Sequence, residues 1–173
     1  MPLGKGYERQ DCPIARALDV VGERWTLLVL RDCFFGVRRF GDLVAHLDVP
    51  RAVLTDRLAT LVDAGILERS GREYLVTERA HVLWPALVAL AAWGEHPHTA
   101  AGGTVRRFAH VACGSDLDPI GRCPTCGTTP DPRDLEVRPV PAEDAAAAGP
   151  APRRDDPVSR ALRAPHRLLT PLP

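Results

Sequence analysis

Residues 38–77 read RRFGDLVAHLDVPRAVLTDRLATLVDAGILERSGREYLVT, and this stretch decides the fold. Apolar residues spaced three and four apart predict one helix over about 39–47. After the turn DVP, leucines at the same spacing predict a second helix that begins near Pro50. ILERS and YLVT lie on either side of Gly71-Arg72-Glu73 and predict a β-hairpin. Two helices followed by a hairpin are typical of a winged helix-turn-helix.

Further helices are predicted on both sides of this stretch. Upstream, Cys12-Pro13 starts one helix, and another follows over about 23–35. Downstream, a helix is expected over about 78–95, with a kink or a later start because Pro85 lies near its first turns. The sequence therefore predicts a mainly α fold with a short β-hairpin.

The second helix of the pair leaves small and polar side chains outside. Its leucines occupy a narrow arc, so the opposite arc is free to approach base edges in a DNA groove. Arginines at the helix start, on its flank, before the preceding helix and on the hairpin are placed for phosphate or guanine contacts. The candidate DNA-binding residues are Arg38, Arg39, Arg51, Ala52, Thr55, Asp56, Arg57, Arg69 and Arg72. The same pattern is also typical of any solvent-facing helix.

A longer set of residues, within about 10–96, resembles the HxlR family of bacterial winged-helix regulators. The shared marks are Cys12-Pro13, Leu18-Asp19, Gly22 to Trp25, Gly36-x-x-Arg39-Phe40, Leu54, Arg57-Leu58, Gly65-Ile66-Leu67, Leu75-x-Thr77 and Trp93-Gly94. The resemblance implies a homodimer that binds operator double-stranded DNA, with each recognition helix in a major groove and each hairpin along the backbone. The first and last helices would form the two-fold interface.

Two features depart from the family pattern. The hairpin ERSGREYLVT is several residues shorter than the usual wing, so DNA contacts are expected from the recognition helix more than from the wing. Pro50 stands where the family often has a small polar residue at the start of the recognition helix.

Charge and hydropathy narrow the choice of function. Lys+Arg and Asp+Glu both number 22, and residues 1–100 hold 12 basic and 13 acidic side chains, so DNA binding must use a local patch. No apolar run approaches the ~18 residues of a membrane span. MPLGKGYERQD lacks the apolar core of a signal peptide, so we expect a cytoplasmic protein with no membrane partner. We find no nucleophile elbow, phosphate loop or metal-hydrolase motif, and expect no enzyme.

Two short motifs, HVACG at 110–114 and CPTCG at 123–127, each offer two metal ligands separated by two residues and followed by glycine. Together they form a Cys₃His set of the kind that holds structural Zn²⁺. The candidate ligands are His110, Cys113, Cys123 and Cys126. Two alternatives stay open: reduced thiols without a ligand, and a disulfide in place of the metal. A thioredoxin-type dithiol is excluded, because glycine and prolines follow the second motif and prevent a helix there.

Composition divides the chain into three parts. Residues 8–98 form the predicted DNA-binding and dimerisation domain, and the hinge TAAGGT follows it. Residues 104–140 are expected to form a zinc-ribbon-like segment whose strands are TVRRFAHV and LEVRPV. Residues 141–173 are rich in Pro, Ala and charge, and we expect them to be disordered because they bury too little apolar surface.

Cys12 is the candidate redox sensor. It lies at a predicted helix N-terminus, where the helix dipole lowers a thiol pKa. It also resembles a cysteine that some HxlR-family regulators use to sense oxidants or electrophiles; the alternative is a buried residue without chemistry. Cys33 is expected in the core. The effector is not specified, although Trp84 and Trp93 could hold a small ligand near the dimer helices.

The sequence therefore indicates a dimeric HxlR-type transcription regulator that binds operator DNA and responds to a redox signal or a small effector. The alternative is a zinc-ribbon protein-interaction module on a dimeric winged-helix scaffold. Salt dependence separates the two functions, because phosphate contacts to DNA weaken steeply as salt rises.

Overall fold

The computed structural model describes Tyr7 and residues 11–95, 106–140 and 155–172. Five α-helices and a hairpin are followed by a three-stranded sheet and one more short helix. The α-helices are α1 Pro13–Val21, α2 Thr26–Phe34, α3 Phe40–Leu47, α4 Arg51–Asp63, α5 Trp84–Gly94 and α6 Pro157–Ala161. The strands are β1 Leu67–Ser70, β2 Glu73–Val76, β3 Arg106–His110, β4 Leu135–Pro139 and β5 His166–Arg167. Two 3₁₀-helices span Glu78–Leu83 and Pro132–Asp134.

The helices begin and end close to the predicted residues, with one informative difference. Helix α2 begins at Thr26, three residues later than expected, because Trp25 has a left-handed backbone with φ of 80°. Pro85 has the predicted effect: the chain forms a 3₁₀-helix up to Leu83 and only then the α-helix α5. The expected fold class, a mainly α winged helix-turn-helix, is confirmed.

The hairpin β1–β2 is the wing. Its strands pair antiparallel from Leu67 opposite Val76 to Ser70 opposite Glu73. The Tyr74 N–H donates to the Arg38 carbonyl at 2.9 Å, and Arg39 forms an antiparallel bridge with Glu73. The residues that lead into α3 are therefore fixed to the wing by backbone hydrogen bonds.

The core of the helical part is supplied by regularly spaced apolar side chains. Leucines of α3 and α4 and the α2 residues Val29, Leu30 and Phe34 are all buried. Burial of each leucine contributes about 2 kcal/mol. The Phe34 ring lies 5.0 Å from the Trp84 ring, which brings α5 onto the same core. Cys33 is buried here as predicted.

The sheet β3-β4-β5 packs on this helical core. Strand β3 pairs antiparallel with β4, and β4 with β5. Leu135 and Val137 of β4 are buried, and the Phe108 ring meets the Trp84 ring edge-on at 4.9 Å. The two strands expected for a zinc ribbon are thus present, and they share one core with the helices.

The expectation of a disordered tail over 141–173 is wrong for residues 155–172. This segment forms α6 and β5, and it buries Val158, Leu162 and Leu168. The segment has too few apolar residues to build a core by itself, but these three side chains complete a core built by other elements. Residues 141–154 and Pro173 lie outside the described part of the chain, as do 8–10 and 96–105.

Candidate DNA-binding surface and Cys/His cluster

The packing of α4 decides which of its side chains face outward. Leu54, Leu58 and Leu61 are buried in the core, where α4 packs against α2 and β1. The opposite face exposes four candidate residues, and Thr60 is half-buried beside it. These four are Arg51, Ala52, Thr55 and Asp56. The hydroxyl of Thr55 donates to the Arg51 carbonyl at 3.0 Å, which leaves its methyl group and oxygen lone pairs at the surface.

Arg51 is the first residue of α4 and lies beside α3. Its guanidinium carbon is 4.9 Å from the centre of the Phe40 ring, a cation–π distance. Pro50 caps the helix without a side-chain hydrogen bond. The Arg51 charge is thus held at the exposed beginning of α4, where an anionic ligand would approach the helix.

Arg57 occupies a different environment from Arg51. Its side chain is only 17% exposed and lies 3.6 Å from the Glu23 carboxylate. Its Nε is buried without a hydrogen-bond partner. The contact fixes α4 to the turn between α1 and α2, so most of this side chain is withdrawn from the surface.

The arginines before α3 and on the wing also differ in availability. The Arg38 guanidinium donates to the Leu169 carbonyl at 2.8 Å and lies 3.7 Å from Glu73. Arg39 is well exposed, with Glu73 at 3.9 Å. Arg69 donates to the Gly71 carbonyl at 3.2 Å, and both Arg69 and Arg72 are exposed. Sequence reasoning missed Glu73, whose carboxylate offsets part of the positive charge beside α3.

The structure brings together the four predicted metal ligands. One ligand atom from each of His110, Cys113, Cys123 and Cys126 lies within 4.8 Å of all the others. Tetrahedral Zn²⁺ with Zn–S bonds of about 2.3 Å would place neighbouring ligand atoms about 3.7 Å apart. The Sγ atoms of Cys113 and Cys123 are 3.4 Å apart, and the Cys113 Sγ is 3.6 Å from the His110 Nδ1. The donor set and its spacing therefore fit a closed tetrahedral site.

The backbone around the cluster turns so that an N–H group can donate a hydrogen bond to a cysteine sulfur. Gly114 and Gly127 follow the two motifs with φ of 73° and 70°, which only glycine adopts without strain. The Cys126 N–H donates to the Cys123 Sγ at 3.4 Å. These glycine turns follow the expected knuckle form.

The protonation of the thiols reflects the same geometry. The Ser115 backbone N–H, the largest influence, lowers the pKa of Cys113 to about 6. Hydrogen bonds with Cys113 and Cys123 raise the pKa of Cys126 to about 11. Of these two thiols, only Cys113 has a pKa that favours the thiolate, the form that binds a metal ion. All five cysteines are free thiols in this structure.

Cys12 and Cys33 lie apart from the cluster. Cys12 is the half-buried N-cap residue of α1. Burial, and then the neighbouring Asp32, raises the pKa of Cys33 well above its usual range, so Cys33 is an unreactive core residue. Trp84 is buried among phenylalanines and does not line an open ligand site, whereas Trp93 is exposed.

A buried ionic group between α2 and α3 was not predicted. The Asp32 carboxylate is fully buried, receives two bonds from Arg31 at 2.7 and 3.0 Å, and lies 2.6 Å from the His46 Nδ1. This group joins the two helices that precede α4. The only sequence signal was an Arg-Asp pair inside an otherwise apolar helix, which is also typical of an exposed helix face.

Comparison with known proteins identifies the family. Residues 20–101 match the model of the HxlR-like helix-turn-helix family. The chain is 39% identical over 142 residues to two uncharacterized HTH-type transcriptional regulators, Mb3122 of Mycobacterium bovis and Rv3095 of Mycobacterium tuberculosis. Each alignment covers 78% of this chain and 90% of the relative. Because the alignment covers 78% of this chain, it includes residues 110–126 at any starting point, and the similarity therefore extends through the Cys/His cluster.

A solved structure supports the same relationship. The crystal structure of PA1607, a proposed transcription factor, superposes with a TM-score of 0.59 at 30% sequence identity and covers 87% of this chain and 100% of PA1607. In the part of the chain that the structure describes, none of the helices has the length and hydropathy of a membrane span. The fold and these relatives together show that the chain belongs to the HxlR-like helix-turn-helix family and is a transcriptional regulator of the helix-turn-helix type.

Proposed function

We propose that α4 enters the major groove of operator double-stranded DNA. Ala52, Thr55 and Asp56 would face the base edges. The four exposed arginines around them would contact phosphates or guanines; these are Arg39, Arg51, Arg69 and Arg72. The single observation that carries this proposal is the exposed face of α4, where small and polar side chains are flanked by exposed positive charge. Arg38 and Arg57 would act mainly by holding this surface in place, because both guanidinium groups have protein partners.

A homodimer is the second part of the proposal. Five large apolar side chains of α1 and of the segment that includes α5 remain substantially exposed: Ile14, Leu18, Val82, Leu90 and Trp93. A second copy of the chain would bury them, as the family resemblance implies. Trp93→Arg should convert a dimer to a monomer in analytical ultracentrifugation. Ile120→Arg is the control, since Ile120 is 67% exposed, against 68% for Trp93, and lies in the Cys/His segment.

The Cys/His cluster would hold one structural Zn²⁺ ion. The four donors close a tetrahedral site, so no position is left for a substrate or a catalytic water. This donor set and the family both favour a binding protein over an enzyme. Metal content by mass spectrometry should give about one zinc per chain.

Cys12 would be the thiol that responds to oxidants. Its place at the start of α1, in the proposed dimer region, would link oxidation to the spacing of the two recognition helices. Treatment with hydrogen peroxide should oxidise Cys12 and change operator affinity, and Cys12→Ser should abolish this response. An unchanged response in that variant would contradict the assignment.

Salt-dependent operator binding is the decisive experiment for DNA recognition. An operator is first selected from a random duplex library with the full chain. Affinity should then fall steeply between low and physiological salt, and Arg51→Ala should reduce the salt slope by about 1. Arg107→Ala is the control because this exposed arginine lies on β3. A DNA affinity that changes neither with salt nor with Arg51→Ala would instead favour a protein-interaction module.

A further inference from the structure

The segment 155–172, here named the strap, is hydrogen-bonded to the connection between α2 and α3. The Leu169 N–H donates to the Phe34 carbonyl at 2.8 Å, and the Leu172 N–H donates to the Gly36 carbonyl at 3.2 Å. The Arg38 guanidinium returns a bond to the Leu169 carbonyl at 2.8 Å. The strap therefore holds the residues that lead into α3 and that are hydrogen-bonded to the wing.

The strap also packs against the helix-turn-helix itself. Its helix α6 lies against α3, and its side chains Val158 and Leu162 are buried in the shared core. Gly36 allows the closest approach: a Cβ at this residue would lie 1.8 Å from the Thr170 carbonyl oxygen. Docking of the strap thus depends on the absence of a side chain at residue 36.

A second set of contacts connects the strap to the Cys/His segment. Strand β5 pairs with β4, with Glu136 opposite Arg167, and the Leu168 N–H donates to the Leu135 carbonyl at 3.0 Å. The Arg106 guanidinium donates to the Leu162 carbonyl at 2.6 Å. Strand β4 pairs in turn with β3, whose last residue is the candidate metal ligand His110. A continuous hydrogen-bonded path therefore runs from the metal cluster to α3.

We infer that metal occupancy of the Cys/His cluster controls how firmly the strap is docked, and through it the position of α3 and the affinity for operator DNA. The inference rests on the proposed metal site. A metal ion would cross-link the loop before β4 to the end of β3, so its binding free energy stabilises the sheet to which the strap is paired. Because binding free energies are linked, operator DNA raises metal affinity by the same factor by which the metal raises operator affinity.

The test compares the full chain with zinc bound and after removal of zinc by a chelator. Amide hydrogen exchange is measured in peptides that cover 34–47 and 166–172, and affinity is measured for the selected operator. Metal removal should speed exchange in both peptides and weaken operator binding by about tenfold or more. The amides of α4 that Leu54 and Leu58 protect should change least, because this helix has its own core contacts.

Gly36→Ala separates the strap from the metal. The new Cβ meets the Thr170 carbonyl, so the strap should undock with zinc still bound, and metal removal should cause no further loss of operator affinity. Gly65→Ala is the matched control: Gly65 also has a positive φ, 67° against 87°, but its Cβ would lie no closer than 3.6 Å to the nearest side chain. It should keep the response to zinc. If Gly36→Ala fails to fold, Leu168→Ala replaces it in the full chain, because it removes a buried side chain of the strap.

The outcomes distinguish this inference from the function on which it rests. A chain that binds no zinc overturns both the metal site and the inference. Zinc binding with unchanged exchange in 34–47 and 166–172 after its removal overturns the inference alone. Failure to select any operator would refute the proposal that these residues bind DNA. The exchange measurement would still show whether metal occupancy affects the stability of α3. Equal zinc responses in Gly36→Ala and Gly65→Ala would show that the strap is not the connection.

Discussion

The helical part, residues 13–94, and the C-terminal part, residues 106–140 and 155–172, become ordered in different ways. The helical part supplies its own core from periodic apolar residues on α2, α3 and α4. The C-terminal part buries few side chains of its own, chiefly Leu135 and Val137 of β4 and three strap residues, and it buries them against the helices.

This difference shows why amino-acid composition led to a wrong prediction of disorder for the strap. Low apolar content means that a segment cannot form a core alone, and this holds for residues 155–172. The same segment can still fold onto an existing surface when a few apolar side chains meet unfilled core positions. Backbone bonds such as that from the Leu169 N–H to the Phe34 carbonyl then satisfy the peptide groups.

The largest expected effect is the unfolding of the C-terminal part by a variant that leaves the helical part folded. Cys123→Ser should abolish metal binding, and structural Zn²⁺ sites contribute roughly 10–16 kcal/mol of apparent binding free energy. We expect rapid proteolysis within 106–140, with a resistant fragment over about 11–95, measured by mass spectrometry. Cys12→Ser is the control and should keep the metal. Proteolysis that degrades both parts at one rate would show that they unfold as a single unit.

A second comparison uses one core leucine from each part. Leu58→Ala should lower the free energy of global unfolding by about 3 kcal/mol, because it leaves a cavity under α4. Leu168→Ala removes a side chain that is equally buried, at 1% exposure. It should instead release the strap locally and raise amide exchange over 166–172. Chemical denaturation and hydrogen exchange measure the two effects, and equal loss of global stability would contradict the distinction.

The third prediction concerns two arginines of α4. Arg57→Ala should destabilise the protein by about 1 kcal/mol, since it removes a largely buried side chain and leaves Glu23 without this partner. Arg51→Ala should change stability by less than about 0.5 kcal/mol, because Arg51 is exposed. It should nevertheless weaken operator binding more than a stability effect would explain. Denaturation curves and operator titrations on both variants provide the measurement.

The smallest expected effect is a pH dependence at the contact between the two parts. Burial opposes ionisation of Asp131, but hydrogen bonds from Arg133 and His81 outweigh it and lower the Asp131 pKa. The resulting stability is present above the unfolded pKa and is lost as pH falls through the lower folded value. Asp131→Asn should reduce the decrease in the free energy of unfolding at acid pH by less than about 1 kcal/mol, since the group is partly exposed. Unfolding curves between pH 5 and 2.5 test this; identical curves would contradict it.

Local pattern predicted the elements that depend on local physics. Proline at the start of α1, the leucines of α4, the turn at Gly71 and the spacing of the Cys/His motifs each act within a few residues. Their structure follows from helix geometry, chain turning and ligand chemistry. For the same reason, the sequence alone predicts the family resemblance and the set of candidate metal ligands.

Contacts between distant residues could not be predicted in this way. Arg57 is a predicted DNA contact, and its ion pair with Glu23, which precedes α2, is not visible in the sequence. Arg38 is another predicted DNA contact, and its hydrogen bond to the Leu169 carbonyl, far along the chain, is equally invisible there. Asp32 and His46 form a buried pair although each is unremarkable in sequence. Such pairings depend on which surfaces meet after folding.

Short-range patterns in the sequence predicted the winged helix-turn-helix, the exposed face of α4 and the Cys/His cluster, because periodicity and ligand spacing act over short distances. Which arginines remain at the surface, and the order of residues 155–172 against α3, depend on the folded structure. Those outcomes depend on complementary surfaces brought together from opposite ends of the chain. Their free energy comes from burial and hydrogen bonding that no local pattern records.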